Sequence, residues 1–140
     1  PYLVAEIDGE IVGYAYAGSF NSRAAYEHSA EVSVYVRRDR KKQGIGKALY
    51  DSLEKVLSMQ NIFNINACIA FPDDEDEFLT KDSFLFHRHM GFRLIGKFSK
   101  CGLKFGRWYN MVWMEKIIGS HDDNPPAVKS FREIREKLYD

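Results

Sequence analysis

The chain has 140 residues, 45% of them hydrophobic and 14% aromatic, which is enough to close one substantial core and cramped for two domains. Twenty basic and twenty acidic side chains cancel, so no global field draws the protein to nucleic acid or to an anionic membrane, and any basic patch must be local. No apolar run reaches the length of a membrane span and no signal-peptide pattern opens the chain, so a soluble, cytoplasmic protein is the simplest expectation.

Leu3–Ile7 and Glu10–Ala17 read as two strands joined by Asp8-Gly9, a two-residue hairpin signal because both positions take positive φ. Gly18–His28 follows as a loop. In Glu31–Val36 the residues Val32, Val34 and Val36 fall on one face and Glu31, Ser33 and Tyr35 on the other, the period of a strand with one buried side. A carboxylate at that strand's start can accept a proton from an amine, directly or through water. The basic run Arg37-Arg38-Asp39-Arg40-Lys41-Lys42 then leads into Gly44-Ile45-Gly46 and a helix. Ile45, Ala48, Leu49, Ser52, Leu53, Val56 and Leu57 form its apolar stripe, with Lys47, Asp51, Glu54 and Lys55 outside. The glycines keep side chains away from the unpaired amides of the helix start, which makes an anion cradle that would fit a diphosphate. Neither G-x-x-x-x-G-K-S/T nor G-x-G-x-x-G is present.

Asn64–Ala70 is the next strand; a helical crossover should make it a parallel neighbour of Glu31–Val36. Phe71–Asp82 carries Pro72-Asp73-Asp74-Glu75-Asp76-Glu77, expected in solvent, as a disordered acidic loop or near an amine entrance. Lys81–Met90 reads as a helix ending at Gly91, and Phe92–Phe98 as a strand. Cys101–Arg107 reads as a glycine-rich turn into a last strand, Trp108–Lys116, paired with Arg93–Phe98. Cys68 and Cys101 stand in no C-x-x-C or histidine spacing, so buried or incidental thiols are expected rather than a disulfide or a metal site. Ser120–Pro126 is linker-like, and Ala127–Tyr139 reads as an amphipathic helix with Val128, Phe131, Ile134 and Leu138 on one face.

A strand, a basic run, Lys41-Lys42-Gln43-Gly44-Ile45-Gly46 and a helix together resemble motif A of the GNAT acetyltransferases, with Lys41 in place of the usual glutamine or arginine. With VAEIDGEIVGYAYAG, RAAYEHSAEVSVYV, FHRHMGF and GLKFGRWYNMVWMEK, the chain up to Lys116 looks like the phosphinothricin N-acetyltransferase branch. The resemblance implies a mixed α/β acyl-CoA N-acyltransferase fold, a central twisted sheet flanked by helices, over residues 1–118, followed by a linker and an added helix over 119–140. In that fold the strands at Glu31–Val36 and Asn64–Ala70 splay apart and CoA enters the gap. The family's opening strand and two helices, which help wall the substrate pocket, have no counterpart here. Pro1 then reads as exposed by methionine removal or as the start of a clipped or incomplete chain. The last helix is expected to cover sheet left bare by those helices or to pack on a partner chain.

By the same resemblance, the amides of Lys41, Lys42, Gln43, Gly44, Ile45, Gly46 and Lys47 hold the pyrophosphate of acetyl-CoA. The basic run can reach its phosphates, the ribose 3′-phosphate included. Val34, Tyr35 and Val36 lie where the family strand is bulged, with amides that bind pantetheine or polarise the thioester carbonyl. Glu31 is the expected general base. His87 sits where many members have the tyrosine that protonates departing CoA thiolate, and Tyr35 is a second candidate for that proton. Arg23 and Tyr26 match the branch's acceptor-binding R-x-A-Y, and Lys104 and Trp108 match its last hairpin, where Asn110 replaces a common aspartate. Asp73 stands nearest to an asparagine that helps bind CoA. The expected activity is acetyl transfer from acetyl-CoA to the primary amine of a small amino-acid-like substrate such as phosphinothricin, methionine sulfone or sulfoximine, with no metal and no nucleic acid. A polyamine, antibiotic or protein amine is an alternative acceptor. A CoA-binding sensor or interaction module without turnover is an alternative of another class. A homodimer is a state common in this branch.

Overall fold

The computed structural model describes residues 1–139. Six strands and three helices make a mixed α/β fold, the class expected from the sequence. The chain divides into two compact units, Pro1–Ile65 with Ile117–Asp140, and Asn66–Lys116.

In the first unit β1 (Tyr2–Ile7), β2 (Glu10–Ser19) and β3 (Ser29–Val36) form an antiparallel meander. Asp8 and Gly9 close its first hairpin with φ of 52° and 80°, the left-handed pair that the Asp-Gly signal requires. The valine face of β3 packs under α1 (Ile45–Met59), whose Ile45, Leu49, Leu53, Val56 and Leu57 are buried with Val12, Ala15, Ala30 and Val32. Each such leucine contributes about 1.5–3 kcal/mol by burial. A Cβ on Gly13 would stand 2.8 Å from the Tyr35 carbonyl oxygen and 3.2 Å from Leu49 Cδ1, so glycine is what lets the helix approach the sheet here. The stripe read from the sequence needs one correction: Ala48 and Ser52 are exposed, while Tyr50, outside that stripe, is 1% exposed. Burial pushes the Tyr50 hydroxyl well above its ordinary pKa.

The C-terminal segment also differs from expectation. Its α-helix is one turn, α3 (Phe131–Ile134), followed by a 3-10 stretch over Arg135–Tyr139. Ser130 and Glu133 cap the helix reciprocally, and Ile134 is buried where α3 meets α1. Upstream, Gln60 Nε2 donates to the Lys129 carbonyl at 3.0 Å, Lys129 N to the Gln60 carbonyl at 2.9 Å, and Asn61 Nδ2 to the Ala127 carbonyl at 2.8 Å. These bonds hold the segment to the C-terminal end of α1. Two prolines and the bonds to extended backbone explain why the helix starts late.

In the second unit the strand order is β4 (Asn64–Phe71), β6 (Arg107–Ile117), β5 (Arg93–Lys104), with α2 (Asp82–His89) preceding β5. The hairpin runs further than the sequence suggests: Cys101–Lys104 are strand, and the turn is Phe105-Gly106, with φ of 56° and 71°. The glycine signal at 102–106 combines that turn with a bulge, because the β5–β6 register shifts between Phe98 and Gly102 and Lys100 takes φ of 49°.

Candidate active site

In the first unit β3 separates two kinds of chemistry. Against β2 its register is one-to-one from Gly13↔Val36 to Ser19↔Ala30, so the bulge implied by the resemblance is not on this edge. Arg37 N donates to the Val12 carbonyl at 2.8 Å, which fixes the parity of the ladder. Tyr35 and Ser33 therefore exchange hydrogen bonds with β2, whereas the amides of Val34 and Val36 point to the edge away from β2. The three residues expected to act together are thus split: the amides of Val34 and Val36 face away from β2, and the Tyr35 amide is bonded to it.

Side chains follow the opposite parity. Glu31, half-buried, lies across from Gly18, where a Cβ would meet nothing within 4 Å, so the space beside its carboxylate is open. On the same face Tyr35 stacks on Tyr14 at 5.4 Å between ring centroids, and Tyr14 and Tyr16 stack on Tyr2 at 5.6 and 5.8 Å. These four rings make an aromatic wall on the sheet face that Glu31 shares, a feature the sequence reading missed. Its signal was the period-two Tyr14-Ala15-Tyr16, placed opposite Tyr35 and Ser33 by the hairpin register. Along the strand, Glu31 and Tyr35 are about 13 Å apart, four residues at roughly 3.3 Å each.

At the end of β3 a 3-10 turn (Arg38–Arg40) leads into α1. Lys42 takes φ of 62° and Gly44 φ of 77°, so two left-handed residues aim the backbone at the helix start. The first helical bond is from Ala48 N to the Gly44 carbonyl at 3.0 Å, leaving the amides of Ile45, Gly46 and Lys47 without intrahelical partners. A helix dipole, amides without helical partners and exposed cations are features suited to holding an anion. The cations are not equivalent. Arg37 grips Asp39 through Nε at 2.6 Å and Nη2 at 2.8 Å and reaches Glu10 at 3.2 Å; these bonds raise its pKa and hold the Asp39 carboxyl below its usual range. Lys47 pairs with Asp51 at 2.5 Å, one helical turn on. Lys41, Lys42 and Gln43 are exposed beside the amides.

Arg23 lies at the other end of α1. It lines a cavity of about 460 Å³ with Ser19, Glu27, Ala30, Leu57 and Gln60, on the face of the sheet that carries α1. Glu31 is on the opposite face. Tyr26, in the 3-10 turn Ala24–Tyr26, is 45% exposed.

In the second unit His87 is 3% exposed among Phe86 and Phe92. Its Nδ1 donates to the Ser83 carbonyl at 2.7 Å, which leaves Nε2 as the accepting nitrogen of the neutral ring. Burial lowers its pKa, partly countered by that hydrogen bond, so the ring is uncharged at neutral pH. Lys104 and the 60%-exposed Trp108 flank the β5–β6 turn. Asn110 is buried, and its orientation is fixed by chemistry: Oδ1 accepts from Lys100 N at 2.9 Å and Nδ2 donates to Asp73 Oδ1 at 2.8 Å. The acidic loop is thus exposed to solvent as expected, but it is ordered by hydrogen bonds rather than free.

A meander over one helix, a glycine-guided helix start flanked by cations and a carboxylate sharing a sheet face with an aromatic wall define a class. The profile of the acetyltransferase (GNAT) domain family matches residues 1–113, and the chain belongs to that family. Within it, the chain is 32% identical over 116 residues to the phosphinothricin N-acetyltransferase of Streptomyces viridochromogenes, covering 83% of this chain and 60% of that protein. It is 33% identical over 116 residues to the L-methionine sulfoximine/L-methionine sulfone acetyltransferase of Pseudomonas paraeruginosa, covering 82% of this chain and 63% of the relative. The crystal structure of a phosphinothricin acetyltransferase from Sinorhizobium meliloti in complex with acetyl-CoA matches with a TM-score of 0.78 at 32% identity, covering 90% of this chain and 65% of that one. The chain thus spans about three fifths of the length of these relatives.

Proposed function

We propose that this chain transfers the acetyl group of acetyl-CoA to the primary amine of a small amino-acid-like acceptor, with phosphinothricin and methionine sulfone or sulfoximine as the first compounds to try. The observation that carries the reading is the helix start at Gly44–Lys47, with unpaired amides beside Lys41 and Lys42, at the end of the strand that carries Glu31. Relatives named for these acceptors, and a structural neighbour solved with acetyl-CoA, support it.

The amides of residues 41–47 would receive the pyrophosphate, with Arg38 and Arg40 available to further phosphates. Val34 and Val36, whose amides point away from β2, would bind the pantetheine arm and stabilise charge developing on the thioester oxygen. Glu31 would take the proton from the attacking amine. Its distance from Tyr35 suits a division of labour in which the tyrosine serves the pantetheine end. His87, neutral with Nε2 accepting, would receive a proton and return it to the departing thiolate, a role it shares as candidate with Tyr35. Lys104 and Trp108 would bind the acceptor's anionic and apolar parts; Tyr26 is a further candidate, whereas the position of Arg23 on the sheet face opposite Glu31 speaks against its expected part in holding the same acceptor. Use of acetyl-CoA fits a cytoplasmic protein, and a homodimer is the oligomeric state to look for first.

Glu31→Gln tests the reading. The carboxamide keeps the shape and cannot take the proton, so kcat should fall about 10²–10⁴-fold while CoA binds unchanged in titration calorimetry. Turnover surviving the substitution removes Glu31 from the mechanism. Absence of saturable CoA binding in the parent chain at millimolar concentration sinks the whole reading.

A further inference from the structure

The run Asp73–Glu77 faces solvent, yet its carboxylates are tied into a clamp. Asp76 Oδ1 accepts from Phe78 N at 2.8 Å and Leu79 N at 2.9 Å, and Glu75 Oε1 accepts from Lys81 N at 3.0 Å, which shapes the segment up to the start of α2. Outward, Arg107 places both terminal guanidinium nitrogens, Nη1 and Nη2, on Glu77 at 2.9 and 2.6 Å and reaches Asp76 at 3.2 Å. Tyr109 Oη donates to Asp76 Oδ2 at 2.8 Å, and Asn110 donates to Asp73. Phe78 stacks on Phe105 of the hairpin turn at 4.4 Å, with Arg107 over the same ring. Three acids of this strap, Asp73, Asp76 and Glu77, thus hold three residues at one end of β6, Arg107, Tyr109 and Asn110.

That strand end needs holding. β5 is exposed along nearly its whole length, and the tip beyond the bulge is a two-stranded ribbon with Leu103, Phe105 and Trp108 each more than half exposed. Lys104 pairs with Arg107 and Leu103 with Trp108 in the last two cross-strand positions. Fixing Arg107 therefore fixes its neighbours on both strands. Asn110 joins the devices: one amide group satisfies the bulge at Lys100 and the strap at Asp73, and an aspartate there would set a second carboxylate against Asp73.

We propose that the strap 73–80 is a positioning element for the acceptor, holding the β5–β6 tip so that Lys104 and Trp108 are presented in a single arrangement. This rests on the acetyltransferase reading above. Asp73, Asp76 and Glu77 act through Arg107, Tyr109 and Asn110 and do not touch the acceptor.

The exchange pair Asn110→Asp and Asp73→Asn tests it. In Asn110→Asp two carboxylates face each other. In the double variant the two groups trade places: the carboxamide, now on the strap, donates to the carboxylate on β6, which still accepts from Lys100 N. With phosphinothricin as probe, Asn110→Asp should raise the acceptor KM about ten-fold or more, while kcat and the acetyl-CoA KM change less than about two-fold. Hydrogen exchange at amides 103–109 should accelerate in parallel, and the double variant should restore both. If Asn110→Asp does not fold, Glu77→Gln, which removes one arm of the guanidinium fork at an exposed position, should give the same split to a smaller extent. Faster exchange at the tip with an unchanged acceptor KM overturns the proposal and leaves the strap a structural part. A raised KM that the double variant fails to restore overturns it as well. A parent chain that binds CoA and turns over no amine fails at an earlier point, and the acetyltransferase reading goes with the proposal.

Discussion

The basic turn before α1 and the acidic strap before α2 carry opposite charges, and they differ more in what their polar groups are doing. In the turn, the amides of Ile45–Lys47 have no helical partner, and Lys41 and Lys42 are exposed beside them. In the strap, Asp73, Glu75, Asp76 and Glu77 all have hydrogen-bond partners in their own unit. A polar group whose bonds are made internally adds order; one held rigid with its bonding capacity open can bind. Charge runs of similar length thus differ in how far their polar groups are already engaged, and the hydrogen bonds, not the composition, tell them apart.

The largest expected effect breaks the open side of the comparison. Gly44 has φ of 77°, and a β-branched residue there costs about 1–3 kcal/mol of backbone strain or reorients the cradle. Gly44→Val should weaken CoA binding roughly ten- to a hundred-fold by calorimetry, with the far-ultraviolet helix signal retained. Unchanged affinity would mean that these amides are not the anion site.

The next effect addresses the closed side through pH. The Tyr109 hydroxyl first, then the amides of Phe78 and Leu79 and the Arg107 guanidinium, hold the Asp76 carboxyl down to about 2, below its ordinary 3.8. Arg107 also lowers Glu77. A carboxyl with a depressed folded pKa adds stability above its unfolded value and loses it as pH falls through the folded one. Protection of amides in 103–109 should therefore hold at pH 5 and collapse between about pH 4 and 2. Asp76→Asn should flatten that acid dependence; a collapse that persists unaltered would show that the strap is held by something else.

The elements that follow local rules were legible in the sequence. Asp8-Gly9, the alternation of Glu31–Val36 and the stripe from Ile45 to Leu57 each state their geometry within a few residues, and the structure keeps the turn, the strand and the helix, with Tyr50 buried in place of Ala48 and Ser52. What could not be read needed partners far along the chain. Tyr14 meets Tyr35 only once a register is set, and Asp73 meets Asn110 across 37 positions. The acidic run is exposed as expected, but its partners were not legible, because periodicity carries no information about an arginine thirty residues away. Val128, Phe131, Ile134 and Leu138 signalled an amphipathic helix, but the backbone over 127–129 is taken by Gln60 and Asn61, and only one α-turn follows. In the site, the expected trio Val34, Tyr35 and Val36 is split because adjacent amides of a strand point to opposite edges.

Two smaller effects sharpen the comparison. His87 is buried with a lowered pKa, so the unfolded chain binds a proton more readily than the folded one. Its stabilising share is present above the ordinary value of 6.5 and lost as pH falls through the lowered one, so Tm should decline from pH 7 toward pH 5, less steeply in His87→Gln. An identical decline in both proteins would assign the acid sensitivity elsewhere.

The smallest effect lies within the basic turn itself. Arg37 resembles the strap, with its guanidinium committed to Asp39 and Glu10. If engagement rather than charge decides the role, Arg37→Ala should change CoA affinity by no more than about two-fold at physiological salt, because it removes a screened, exposed pair. Lys42→Ala, which loses an unengaged cation beside the amides, should weaken binding more, and should do so most at low salt. Equal losses from the two substitutions would mean that the turn attracts its anion by summed charge, and that the distinction between open and closed groups does not hold at this site.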